Sequence, residues 1–220
     1  MTCAAIIAVS SGLCYIDNMV KSSKKWIIGI DEVGRGPIAG PVYVCGVAIK
    51  IHDYKKARWI GLTDSKKLTQ KAREKWYTHA AELEQKGVVR IGVASQTASR
   101  IDKSGISKCI KDCIGEILET LDIDPKDVSV VLDGGLKAPS EYLYQETIIK
   151  GDLKEKIISL ASVVAKVSRD AYMVKIAAKY PGYKWEKNKG YGTTEHYTLL
   201  KKLGFTRLHR KTFLKRILDN

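Results

Sequence analysis

The sequence predicts an α/β fold with a mixed sheet and a helical C-terminal part. Three observations lead there. Strand-like apolar segments come early and then alternate with helical patterns. Two of those segments end in carboxylates followed by glycine, at Asp31-Glu32 and at Asp133. After Pro181-Gly182 the remaining periodic stretches are short and rich in Lys and Arg.

Taken in order, Ile27-Ile28-Gly29-Ile30 is an apolar run that stops at Asp31-Glu32, and Gly34-Arg35-Gly36 turns the chain at once. Carboxylates at the end of a buried strand are costly unless they bind something, usually a cation. Glycines in the turn let backbone N–H groups approach a bound group closely. Pro41 then opens a second, largely apolar strand, and strands of the same kind are expected at roughly 88–94 and 128–132. Helical periodicity covers roughly 69–86 and 105–121. The second of these puts Ile106, Cys109, Ile110, Cys113, Ile114, Ile117, Leu118 and Leu121 on one face. A long helix is expected over roughly 155–179, with Leu160, Val164, Val167, Ala171 and Val174 as its apolar stripe. Shorter helices follow at roughly 195–203 and 211–218. No repeat or low-complexity linker interrupts the chain.

The formal net charge of +14 favours a polyanionic partner, nucleic acid before an anionic membrane surface. Residues 184–216 hold ten Lys or Arg against Glu186 and Glu195, interleaved with Trp185, Tyr191, Tyr197 and Phe213 and preceded by Tyr183. Aromatics among basic residues suit nucleic-acid contacts better than a solvated tail. The five cysteines form no Cys-x-x-Cys pair, which excludes the usual zinc spacings and makes a reducing, cytoplasmic setting the default. No apolar run has transmembrane length, so no membrane is expected as partner. The short apolar run after Met1 lacks a basic flank and a cleavage site, which speaks against a signal peptide. Residues 1–24 are expected to be a dispensable extension, with Met19, ahead of Lys21-Ser22-Ser23-Lys24-Lys25, as an alternative start. Residues 25–180 are then expected to form the main domain and 181–220 a basic helical segment that contacts nucleic acid.

The chemistry rests on three segments. If the strands ending at Asp31 and Asp133 are parallel neighbours, their carboxylates sit side by side where such sheets form sites. Alone, Asp133 also fits a turn-forming Asp before Gly134-Gly135. Ser162, Lys166 and Asp170 lie four residues apart on one helix face, and Asp170 sits at the edge of the apolar stripe, within reach of a sheet-end site. Alone, Asp170 also fits a surface ion pair with Lys166. Together these carboxylates make an oxygen-ligand set for Mg²⁺ or Mn²⁺, without the His or Cys of a zinc site. Adjacent strand residues face opposite ways, so Glu32 joins Asp31 only if the strand ends or twists there. Gly34-Arg-Gly36-Pro-Ile-Ala39, with Asp53 beyond it, mimics a dinucleotide-binding fingerprint, but Pro37 and Pro41 lead into a strand where a helix is required. Asp53 is therefore expected in a loop.

At this point the chain resembles the bacterial ribonuclease HII family. The matching pieces are Ile30-Asp-Glu-Val-Gly-Arg-Gly-Pro-Ile-Ala-Gly-Pro-Val42, Leu62-Thr-Asp-Ser-Lys-Lys-Leu68, Leu132-Asp-Gly134, Ala161-Ser-Val-Val-Ala-Lys-Val-Ser-Arg-Asp170, Lys189-Gly-Tyr-Gly-Thr193 and Leu208-His-Arg-Lys-Thr-Phe213. The resemblance implies a ribonuclease H-like fold, a five-stranded mixed β-sheet flanked by helices. It implies cleavage of the RNA strand of RNA–DNA hybrids and of single ribonucleotides embedded in duplex DNA. The four acidic ligands it implies are Asp31, Glu32, Asp133 and Asp170. Gly34, Arg35 and Gly36 match the turn that meets the ribonucleotide 2′-OH and the adjoining phosphate. Tyr191 matches the tyrosine on the following sugar, and Lys66 and Lys189 match backbone contacts. Asn188 stands where the family usually has His. His196 and His209 are expected to pack or to contact phosphate, not to catalyse.

Two divalent cations about 4 Å apart would straddle the scissile phosphate, with Asp31 shared. Attack 5′ of the ribonucleotide would leave a 3′-OH and a 5′-phosphate, with the protein acting as a monomer. A four-carboxylate 3′–5′ exonuclease is the rival enzyme. A non-catalytic binding module is the other rival, disfavoured because clustered carboxylates repel phosphate unless metal is present.

Overall fold

The computed structural model describes residues 24–214. The expected N-terminal extension, both start positions and the far end of the 211–218 helix lie outside them, apart from Lys24. Strands β1 (Trp26–Val33), β2 (Val42–Lys50), β3 (Val89–Gln96), β4 (Val128–Asp133) and β5 (Gln145–Ile148) form one sheet in the order β3-β2-β1-β4-β5. The pairs β1–β2 and β2–β3 are antiparallel, whereas β1–β4 and β4–β5 are parallel. This is the mixed five-stranded sheet that the resemblance implied.

The helices are α1 (Ile51–Lys56), α2 (Gln70–Gln85), α3 (Ala98–Ser104), α4 (Ile106–Leu121), α5 (Gly151–Lys154), α6 (Lys156–Ala177), α7 (Trp185–Asn188) and α8 (Thr194–Leu203), followed by a 3₁₀ turn Lys211–Phe213. The 3₁₀ turn replaces the start of the expected 211–218 helix. Asp53 lies in α1 and not in a loop. No helix follows Gly34 and Gly36; the chain runs on into β2.

Strand periodicity sorts the two faces. Ile28, Ile30, Val130 and Leu132 pack against α4 through Cys109, Ile110, Cys113, Ile114, Ile117, Leu118 and Leu121, the face read from the sequence. Ile27, Val131 and Val47 face α6 through Ile157, Leu160, Ala161 and Val164. Gly29 is the closest approach on that side. A Cβ there would lie 2.5 Å from the Ile157 carbonyl carbon, so β1 and α6 meet backbone to backbone. A third apolar cluster joins Ile38, Ala39, Met173 and Ala177 to Tyr183, Trp185, Leu200 and Leu214 of the C-terminal segment.

The stripe of α6 differs from the expected one. Its first half is buried on every side, from Ile157 to Ala165, because the sheet lies on one flank and α2 on another. Its second half buries Arg169, Met173 and Ala177 against the C-terminal segment, while Val174 is exposed. Apolar spacing alone missed this phase, because a buried arginine carries part of it.

Candidate active site

Period two along β1 and β4 decides which carboxylates meet. Asp31 follows Ile27 and Gly29 on the α6 face, and Asp133 follows Val131 on the same face. Ile30 pairs with Leu132 in the parallel register, so the next residue on each strand, Asp31 and Asp133, come together as expected. A third carboxylate joins them. Ligand-capable atoms of Asp31, Asp133 and Asp152 all lie within 4.8 Å of one another. Asp152 sits in α5, just past β5. It is drawn in because the Gly151 amide donates to Asp133 Oδ1 at 2.6 Å. Little in the sequence marks it: Gln145–Ile148 is a short, mostly polar strand, and Gly151-Asp152 has the look of an ordinary turn.

The other two acidic candidates sit differently. Glu32 points to the opposite face from Asp31, since β1 continues regularly to Val33. Its Oε1 accepts from Arg35 Nη1 at 3.2 Å. It still feels the cluster: burial raises its carboxyl pKa, Arg35 opposes, and the Asp133 charge raises it further. Asp170 is not brought into the three-carboxylate group. It lies eight residues past Ser162, which neighbours Asp31, and eight residues span about 12 Å of helix. Its Oδ1 takes Lys166 Nζ at 2.9 Å, the i,i+4 pair, and it lines a cleft with Gln70, Arg73, Val174 and Lys189. The expected place of Asp170 came from the stripe of Val167, Ala171 and Val174, whose phase the structure replaces.

Crowding makes the cluster electrostatically expensive. Burial raises the Asp31 carboxyl to about 8; the Ser162 hydroxyl pulls back, and the Glu32 and Asp133 charges push further. Asp152 is raised to about 6 by burial and by the charges of Asp133 and Asp64, with Lys66 opposing. Acidic oxygens gathered this closely, without His or Cys, suit a hard divalent cation. The residues present therefore fit the Mg²⁺ or Mn²⁺ that the resemblance implied.

Beside the cluster, Arg35 and Gly36 are exposed at the tip of the turn, while Gly34 is buried with φ +91°. A Cβ on Gly34 would meet Arg169 Nε at 2.3 Å, so only glycine fits there. Tyr191 is 40% exposed, its ring centre 5.7 Å from the Arg169 guanidinium carbon and 5.9 Å from Lys166 Nζ. Arg169 thus lies between the turn and Tyr191. Lys66 is exposed in the loop before α2, and Lys189 is half-buried, its ammonium donating to the Glu186 carbonyl. Arg35 also lines a 780 Å³ groove with Ser107, Lys111, Lys137, Ser140 and Thr147.

Part of the basic, aromatic C-terminal segment is structural. Trp185 and Tyr183 are buried, and Trp185 Nε1 donates to His196 Nε2 at 3.1 Å. His196 Nδ1 faces the Tyr191 carbonyl at 2.9 Å, and its Nε2 faces His209 Nε2 at 3.2 Å. Both histidines are buried, and burial lowers their pKa values, His209 to about 4. They pack and do not meet phosphate. Arg210 is also fully buried and is no phosphate contact.

The ribonuclease H2 of Pyrococcus horikoshii superposes with a TM-score of 0.69 at 25% identity, covering 89% of this chain and 100% of that one. A mixed sheet in this order, with acidic residues at the ends of its parallel central strands, defines a nuclease of the ribonuclease H class. The ribonuclease HII family model matches residues 28–217. A ribonuclease HII of Caldicellulosiruptor bescii is 41% identical over 203 residues, 92% of this chain and 93% of its own length. That of Bacillus subtilis is 41% identical over 187 residues, 85% of this chain and 69% of its own. The chain belongs to the ribonuclease HII family and is a ribonuclease H, a metal-dependent phosphodiester hydrolase.

Proposed function

We propose that the protein is an endonuclease that cuts the RNA strand of RNA–DNA hybrids and single ribonucleotides in duplex DNA, 5′ to the ribonucleotide. The products are a 3′-OH and a 5′-phosphate. The observation that carries this reading is the juxtaposition of the Asp31–Asp133–Asp152 cluster with an exposed glycine-flanked turn. Those three carboxylates are the ligands proposed, with Glu32 as the neighbour able to swing in; Asp170 is left to its pair with Lys166. Asp31, Asp133 and Asp152 would hold the divalent cations, which would supply activation of a water and charge stabilisation at the leaving oxygen.

The chain's own residues supply the rest. The turn Gly34-Arg35-Gly36 offers backbone groups to a 2′-OH and phosphate, the former being what separates RNA from DNA. Tyr191 covers the next sugar. Lys66 and Lys189 flank the strand, and the groove with Arg35, Lys111 and Lys137 gives a second phosphate track. The exposed lysines between 184 and 211 extend that surface. The protein would work as a cytoplasmic monomer.

A covalently closed duplex with one ribonucleotide tests the reading. It should be nicked with Mg²⁺ and left intact with a chelator, whereas an exonuclease would need an end. Asp133→Asn and Asp152→Asn should each lose about a hundredfold or more, the scale of removing electrostatic stabilisation of the transition state. Asp170→Asn should stay within a few-fold of the parent, on the order of a surface ion pair. Full activity in Asp152→Asn, together with its loss in Asp170→Asn, would reverse the ligand assignment.

A further inference from the structure

Among the described residues the buried Arg210 pairs with no carboxylate. Its guanidinium donates instead to three backbone carbonyls: Gly34 at 2.7 Å, Arg35 at 3.1 Å and Gly40 at 3.0 Å. Arg169 lies alongside and donates to Pro41 at 2.9 Å and Ala39 at 3.3 Å, and its Nη1 finds no partner among the described residues. Two buried cations thus grip the loop from residue 34 to 41 by its oxygens. The same loop is laced to the C-terminal segment. The amides of Ile38 and Ala39 donate to the Gly190 carbonyl, the Gly40 amide to Leu208, and the Arg210 amide to Ile38.

The consequence follows from peptide geometry. In a planar trans peptide the C=O and the next N–H point in opposite directions. No peptide among the described residues is cis. With the Gly34 and Arg35 carbonyls drawn inward to Arg210, the N–H groups of Arg35 and Gly36 point outward. Neither of those amides donates to a protein acceptor among the described residues. Arg35 and Gly36 are also the exposed pair of the turn. We propose that Arg210 is a positioning residue for substrate discrimination, aiming the Arg35 and Gly36 amides at the sugar–phosphate of the ribonucleotide. It touches no substrate. This rests on the function proposed above, and it assigns the job of orienting the turn to a residue at the far end of the chain.

The charge type matters as well as the reach. A guanidinium fork can span three carbonyls at fixed angles, whereas a lysine ammonium is a point charge on a flexible stem. Arg210→Lys should therefore rescue little. The variants are Arg210→Lys and Arg210→Met. Asp102→Ala is a milder third, because Asp102 accepts the Lys211 and Thr212 amides just behind Arg210 and lies nearer the surface.

Three readouts decide. In an Asp133→Asn background, where cutting is suppressed, the binding ratio of a one-ribonucleotide duplex to its all-deoxy twin should fall about tenfold in both Arg210 variants. In the active protein kcat should fall about 10- to 100-fold with a smaller change in KM, the cost of misplacing a reacting group. Amide exchange at Ile38, Ala39 and Gly40, whose N–H groups are hydrogen-bonded to Gly190 and Leu208, should quicken, with Asp102→Ala intermediate. A binding ratio that survives unchanged in folded Arg210→Lys, or exchange at Ile38, Ala39 and Gly40 equal to the parent, would overturn the proposal. If Arg210→Met fails to fold, Asp102→Ala and Arg210→Lys decide the matter by the same readouts. Failure of the parent protein to cut any ribonucleotide-containing duplex would sink the proposed function instead, and the exchange measurement would still decide the role of Arg210.

Discussion

Asp31 carries the largest electrostatic burden of any site residue. Its carboxyl is raised from 3.8 to about 8, first by burial and then by Glu32 and Asp133. A raised carboxyl pKa means the folded chain holds a proton that the unfolded chain has released. Stability contributed this way is complete below about pH 4 and is lost as pH rises towards 8. Asp31→Asn cannot ionise and keeps an oxygen for the Glu32 amide, which donates to Asp31 Oδ1 at 2.7 Å. Without metal at pH 8–9 the variant should therefore be more stable than the parent, by something on the order of a few kcal/mol, the gap closing towards pH 4. Mg²⁺ should raise the melting temperature of the parent and scarcely move the variant. Equal melting of both proteins across that range would remove the electrostatic account of the cluster. At this scale the sequence disclosed Asp31 and Asp133, because apolar runs ended on them. Asp152 stayed hidden because its strand is four residues long and half polar.

Among the elements, α6 does most to place the site. It packs on β1 at Gly29, its N-terminal end follows directly on the helix that holds Asp152, and Ser162 stands beside Asp31. A methyl at Gly29 must push β1 and α6 apart, since the atoms it meets are backbone and cannot swing away. Gly29→Ala should cost about 2–3 kcal/mol, the range for overpacking a tight core. It should also lower kcat, because the shift separates Asp31 from Asp152. Urea melts and single-turnover rates would measure both; a variant with parental stability would show that α6 can move aside freely. The helix was legible in length and position, and α4 was legible down to its buried face. The phase of α6 was not, because Arg169 is buried against backbone carbonyls and a hydrophobic pattern counts it as surface.

Over the whole molecule, net charge says that a polyanion binds but not where. The sequence concentrates positive charge in residues 184–216, yet folding turns Arg210 inward there and commits Lys184 to a pair with Glu195. Trp185 and Tyr183 leave the surface for the same reason: the segment needs an apolar side to dock on Ala39, Met173 and Ala177. What remains outside is assembled from distant parts of the chain: Arg35, Lys66, Lys111 and Lys137, with Lys189 half-buried beside Asp170. Each lysine that meets a phosphate should contribute about one unit to the slope of log affinity against log salt, through counterion release. Lys189→Ala should therefore lower the slope by about 1, and Lys111→Ala with Lys137→Ala together by about 2, for all sequences alike. Lys50, at the opposite end of the sheet in a pocket with Trp26 and Arg90, is the control and should leave the slope unchanged. Arg210→Met should also leave it unchanged while reducing discrimination, since a buried guanidinium releases no counterion. A slope that falls with Lys50 and not with Lys111 and Lys137 would put the nucleic acid on the other end of the sheet, away from the carboxylates.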